Sequence, residues 1–204
     1  MARIFLGLLI FAALCVSAIG APGDVMLDPP VAPQGEIAPP VPTADPITEV
    51  ETEVHRDLSA LPAAVAATRD ALMAAAATGD VDALKGVLDA QEELPVLSFG
   101  GAEDPLEYLR AASNDGEGRE LLGIMLELLE APFAIVGAGT ADEMYVWPYF
   151  AAISLDDLSP PELVELYKLI SHYDFEEMQH LGGWYFYRVG INANGDWAYF
   201  VAGD

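Results

Sequence analysis

Cysteine and positive charge are both scarce in this 204-residue chain. It carries one cysteine, and only 8 lysines and arginines against 33 aspartates and glutamates, for a formal net charge of −25. The lone Cys15 sits inside an uncharged apolar run, Ile4 to Ile19, that follows Arg3. That pattern reads as a secretory signal peptide over 1–20, with Ala18-Ile19-Gly20 supplying small residues before a cut ahead of Ala21. The run is short for a spanning helix, which argues against a retained anchor. Leu14 stands where a lipoprotein signal wants a small residue before Cys15. The exported chain then has no cysteine, which excludes disulfides and thiol nucleophiles. A periplasmic or secreted location is the expectation. The acidic excess argues against nucleic acid and an anionic membrane surface as partners, because both would be repelled. Basic proteins and divalent cations stay open.

Reaction motifs are missing too. No Gly-x-Ser-x-Gly elbow occurs. Gly137-Ala138-Gly139 lacks both the third glycine and the βαβ setting of a dinucleotide loop. No cofactor is expected. Acid pairs such as Asp142-Glu143 and Asp156-Asp157 are what chance yields in so acidic a chain, and neither is assigned a catalytic role. The one metal-like set is His172, Glu176, Glu177 and His180. On a continuous helix, 172, 176 and 180 share a face. Asp174 with Glu177 also looks like a capping pair, which would start the helix after His172 and break that face. Glu177-x-x-His180 is half of a di-iron carboxylate motif without a second copy.

What the chain does contain is organised in three parts. Residues 21–58 hold eight of the 15 prolines among small and acidic residues, without helical or strand period. They read as a solvated, disordered linker. Residues 59–204 read as one globular domain. Ser59 to Ala77 is an alanine-rich helix, and Asp80 caps a second over Val81 to Ala90. Asp104-Pro105 opens a third, with Asp at the N-cap and Pro at the first helical position. Arg119 to Glu130 is a fourth, ended by Ala131-Pro132. Ser159-Pro160-Pro161-Glu162 is a capping box for a helix running to about Ile170.

Phe133 to Val136 reads as a short strand. The aromatic run from Met144 to Phe150 contains Pro148, which speaks against a central strand there. At the C-terminus, two β-prone runs, 185–189 and 197–201, flank Asn192-Ala193-Asn194-Gly195. A type I turn with Gly195 left-handed in a bulge pairs Ile191 with Trp197, Val189 with Tyr199 and Tyr187 with Val201, making one face apolar. Tyr145, Trp147, Tyr149, Trp184 and Trp197 are candidate binding residues, on the view that the rings form a platform for a sugar or peptide. The competing view makes them core.

Two resemblances accompany this reading. Leu72 to Asp80, with Asp104-Pro105-Leu106-Glu107-Tyr108, resembles ankyrin repeats across 72–131, although the histidine of that pattern is absent and the second unit breaks its spacing. It implies stacked helix pairs and protein binding. The segments Tyr145 to Ala151, Phe186 to Ile191 and Phe200 to Asp204 resemble an uncharacterised family of bacterial exported proteins. That likeness implies a shared fold and an envelope setting, and brings no catalytic residues.

The resulting expectation is an α+β domain: a mainly helical body of helix-turn-helix units from about 59 to 180, then a C-terminal antiparallel β-hairpin, with strand 133–136 as a candidate addition. The expected function is that of a non-catalytic exported envelope protein binding another protein or a cell-wall component. The alternative is a metal-assisted hydrolase using the His172–His180 segment.

Overall fold

A computed structural model describes residues 52–203. They belong to one compact unit, Ile47–Asp204. The expected signal at 1–20 and most of the expected linker, 21–51, lie outside the described residues.

Five short strands form one antiparallel sheet in which each is bonded to its neighbour in sequence order. They are β1 (Thr52–His55), β2 (Phe133–Val136), β3 (Met144–Trp147), β4 (Arg188–Asn192) and β5 (Trp197–Val201). The helices enter as two insertions. Between β1 and β2 come α1 (Ala63–Ala76), α2 (Lys85–Leu88), α3 (Pro105–Ala112) and α4 (Arg119–Glu130). Between β3 and β4 come α5 (Pro160–Leu166) and α6 (His172–Leu181). No helix among the described residues is long and apolar enough to cross a membrane.

Local chemistry sets the helix starts. The Asp104 carboxylate accepts from the amides of Leu106 and Glu107, with Pro105 at the first position. Ser159 and Glu162 close a capping box on α5. Asp80 caps a 3-10 turn, Val81–Leu84, that leads into α2, so the expected helix 81–90 is split and shorter. These caps satisfy amides that a helix end leaves without internal partners.

Alternation along the strands sorts the interior into two cores. Phe133, Tyr145, Trp147, Val189, Ile191, Trp197 and Phe200 face α1–α4. From the helices, Val65, Leu72, Leu84, Leu109, Leu122, Met125 and Leu128 meet them, each at most 2% exposed. On the other side, Ala134 and Val54 pack with Tyr149, Phe150, Leu155, Leu166, Ile170, Phe175, Met178 and Trp184. Adjacent residues Phe133 and Ala134 thus serve opposite layers, as a period of two requires. The sheet is sandwiched, with α1–α4 on one face and α5–α6 on the other.

The hairpin forms with one correction to its register. Ile191 pairs with Trp197 and Gly195 is left-handed at φ +94°, as expected. Beyond that, Val189 faces Phe200 and Arg188 faces Val201, in place of Tyr199 and a Tyr187–Val201 pair. The cause is a bulge at Ala198, which shifts the ladder by one residue between Gly190 and Ile191. Because of it, Trp197 and Phe200, three apart, both reach the helix-facing core. It also sets Tyr199 opposite Gly190, where a Cβ would stand only 2.3 Å from the tyrosine ring. Glycine is required there by the ring it carries. The outer edge of β5 is closed as well: the Gln91 side chain accepts from the Trp197 amide, and Val96 exchanges two backbone bonds with Ala198 and Phe200. Such closure blocks strand-to-strand association.

Three further expectations change. Residues 52–55 lie in the stretch read as linker to 58, yet they form edge strand β1, with His55 stacked on Phe133 at 5.2 Å. The run 144–147 is the central strand β3 despite Pro148, because the proline falls one residue past its end. Strand 133–136 exists as β2 and joins the hairpin in one sheet, through β3 and not by direct pairing.

Candidate functional site

The five aromatic candidates are interior residues. Tyr145, Trp147, Tyr149, Trp184 and Trp197 are each at most 5% exposed. Polar tips are placed accordingly: Trp184 Nε1 donates to the Tyr187 carbonyl, Trp197 Nε1 to the Tyr199 carbonyl, and the Tyr145 hydroxyl to Glu143. Burial, with that carboxylate adding to it, pushes the Tyr145 hydroxyl up to about 12. Among the described residues, Trp147 Nε1 alone is buried without a hydrogen-bond partner. Rings so enclosed offer a ligand no face, and the platform reading gives way to packing.

The four metal candidates all lie on the exposed side of α6. The helix begins earlier than expected. Ser171 is the N-cap and Asp174 the third residue of its capping box, so His172 is helical. His172 Nε2 lies 3.6 Å from Glu176, and its Nδ1 lies 3.0 Å from the Tyr167 hydroxyl. His180 falls in the last turn and makes no hydrogen bond or ion pair with either. Among the described residues, no group of three or more His, Cys, Asp or Glu is placed to hold a metal ion. His172 and Glu176 form a solvated helix pair.

What the α5–α6 layer does build is a groove. Its opening encloses about 700 Å³ between the turn after α5 and the face of α6. Tyr167, Ile170, Met178, Leu181 and Phe186 supply apolar walls, and Asp174 and Glu177 stand on α6 three residues apart. The buried Phe175 and Met178 pin α6 to the core, and Leu181, next at the same spacing, extends past it and is 55% exposed. Tyr167 stands edge-on to Phe175 and is 42% exposed. The Tyr185 hydroxyl donates to the Leu181 carbonyl and holds the far end. Gly182 stops the helix there in a left-handed conformation.

A polar clamp fixes the back of this layer. The Arg56 guanidinium donates to both oxygens of Glu165 at 2.9 and 3.1 Å, lies over the Tyr149 ring, and approaches Glu162 at 3.5 Å. The Tyr149 hydroxyl donates to the same Glu165 at 2.8 Å. Paired with Arg56, the Glu165 carboxyl is held below its ordinary range, while burial drives the Tyr149 hydroxyl well above its own. The clamp ties the end of β1 to α5. A two-oxygen arginine pair of this kind adds directionality to the Coulomb attraction.

From Asp156 to Leu181 the layer carries seven carboxylates against one basic group, Lys168. Neither Lys168 nor Glu177 makes a side-chain hydrogen bond or ion pair among the described residues. Sequence reasoning reached Glu177 for a different purpose and missed Tyr167, Leu181 and Tyr185. The available signal was the spacing of 175, 178 and 181, an apolar stripe running to the helix end.

No family model matches the chain, and neither a curated protein nor a solved structure does.

Proposed function

We propose that this chain is a non-catalytic exported protein of the cell envelope that binds another protein through the α5–α6 layer. One observation carries the reading. Among the described residues, seven large hydrophobic side chains are exposed, and four of them, Val164, Tyr167, Tyr173 and Leu181, belong to this layer. Exposed apolar side chains gathered in one layer, two of them (Tyr167 and Leu181) lining its groove, support an interaction site there. Its apolar character suits a polypeptide better than a cell-wall sugar, whose hydroxyls would need polar partners. The export signal in 1–20 and the proline-rich stretch after it fit a domain held in the envelope. The hydrolase alternative requires an ion on His172, Glu176, Glu177 and His180, and no observation favours it.

The test is capture from an envelope fraction with the exported chain and with a Tyr167→Ser/Leu181→Ser variant. Retention of a defined partner by the former and its loss by the latter, at equal thermal stability, is the expected result. Equal capture by both forms would remove the groove from the proposal. Activity that appears on adding zinc and vanishes in His172→Ala would replace it with the hydrolase.

A further inference from the structure

The groove reading leaves the partner's chemistry open, and its walls narrow it. An occupant must cover the exposed Tyr167 and Leu181 with apolar side chains, against a lining to which Ile170, Met178 and Phe186 also contribute. It must also bring positive charge. Glu177 stands at the rim without a partner among the described residues, and Asp174 spends one oxygen on Ser171 and keeps the other. The groove lining itself holds these two carboxylates and Lys168, exposed Glu176 stands beside them on α6, and the chain as a whole carries a net charge of −25. An anionic or strongly hydrated partner meets a repulsive field here, whereas a cationic one is steered in.

Apolar and cationic groups on opposite sides of one narrow element describe an amphipathic helix. A helix lying in a groove presents anchors at i, i+3, i+4 and i+7 to the floor and keeps its charged side at the rim. Met178 in the lining, unbranched and polarisable, suits anchors of varied shape. The wall that receives it is itself preorganised, since Ser171–Asp174 caps α6 and Tyr185 ties down its end.

We infer that the α5–α6 groove takes a lysine- or arginine-rich amphipathic helix of a partner polypeptide. This rests on the protein-binding reading above, and the test separates the two. A labelled peptide of about 18 leucines and lysines in helical period is titrated into the exported chain and followed by anisotropy and circular dichroism. Two controls accompany it, the same composition scrambled out of period and a leucine–glutamate version. The expected result is saturable binding of the periodic cationic peptide alone, with a gain of helicity. Glu177→Lys should weaken it by about tenfold or more, as expected for loss of a rim charge and its replacement by a repulsive one. Glu103→Lys, an equal charge change on an exposed loop outside this layer, should leave it near wild type.

Equal weakening by both substitutions would show attraction to net charge and overturn the assignment to this groove. Equal binding of the scrambled peptide would overturn the helix. Preferential binding of a wall glycan fragment, lost in Tyr167→Ser/Leu181→Ser, would replace the peptide with a sugar. If no peptide binds while that double variant still loses its envelope partner, the cationic-helix inference falls and the protein-binding function stands. If neither occurs, both fall.

Discussion

The two helical layers on this sheet are built to different standards of closure. On the α1–α4 side, seven sheet residues meet helices whose inward side chains are almost wholly enclosed, and Trp147, Trp197, Phe133 and Phe200 fill the space between. On the α5–α6 side, a smaller core is sealed by Tyr149, Phe150 and Trp184, and then the apolar surface simply continues outward through Tyr167 and Leu181. On the α1–α4 side the exposed large apolar residues, Leu94, Val96 and Phe99, sit in the connection between α2 and α3, whereas on the α5–α6 side they lie on or next to the helices themselves. The difference teaches where stability resides and where a partner has room, because apolar area contributes to folding only once it is removed from water.

The largest effect should come from the closed layer. Trp197 is 1% exposed at the start of β5, inside the core that α1–α4 share with the sheet. Trp197→Ala should cost about 3–5 kcal/mol in chemical denaturation, the range for removing a large buried ring. A variant as stable as wild type would mean that the ring does not hold the helical layer to the hairpin. The contrast between the two layers would then lose its basis.

Next comes the strand that joins the layers. β1 supplies Val54 to one core, sets His55 on Phe133 in the other, and leads into Arg56 and its clamp on Glu165. A chain beginning at Leu58 loses all three. Its melting temperature should fall by about 6 °C or more, corresponding to a loss of about 2 kcal/mol for a domain of this size. An unchanged transition would return 52–57 to the linker in which the sequence pattern placed them.

Why that strand was hidden is instructive. Thr52-Glu53-Val54-His55 is short, partly charged and adjoins a proline-rich stretch, so nothing local distinguishes it; its partner, β2, lies some 80 residues onward. The caps at Asp104 and Ser159, and α4 from Arg119 to Glu130, were legible because each rests on contacts within one turn. The hairpin turn was legible for the same reason, through Asn192 and Gly195. The bulge at Ala198 was not, since it depends on Val96, a hundred residues away, and on the ring of Tyr199 over Gly190. Pro148 misled because a proline one residue beyond a strand looks the same in sequence as one inside it. At the groove, the Asp174–Glu177 pair offered a helix start after His172, whereas the Ser171 hydroxyl caps it earlier, with Asp174 as the third residue of the box.

A smaller effect should appear with pH, again where the layers meet. Arg56 holds the Glu165 carboxyl below its unfolded value. The sign follows from linkage: the unfolded chain takes up that proton first as pH falls. The contribution is therefore complete above the ordinary glutamate range and disappears as pH drops through the depressed folded value. Melting temperature measured from pH 7 downward should fall less steeply below about pH 4.5 in Glu165→Gln than in wild type. Glu162, Glu143 and Asp115 are lowered as well, by hydrogen bonds of their own, so both proteins keep a slope and only the difference reports the clamp. Parallel curves would show that Arg56 and Glu165 do not couple β1 to α5.

The smallest expected change in stability is also the one that most sharpens the contrast. Leu181 has the same chemistry as the core leucines, yet it is 55% exposed at the end of α6. Its backbone carbonyl, which accepts from Tyr185, survives any side-chain substitution. Leu181→Ser removes three carbon atoms that already face water in part and adds a hydroxyl, so denaturation should shift by only about 0.5 kcal/mol, the ordinary span for surface positions. If partner binding falls in the same variant, the side chain serves contact and its exposure is functional. A loss approaching that of Trp197→Ala would instead place Leu181 in the second core. The groove would then be a fault in packing, with no opening left for a helix to fill.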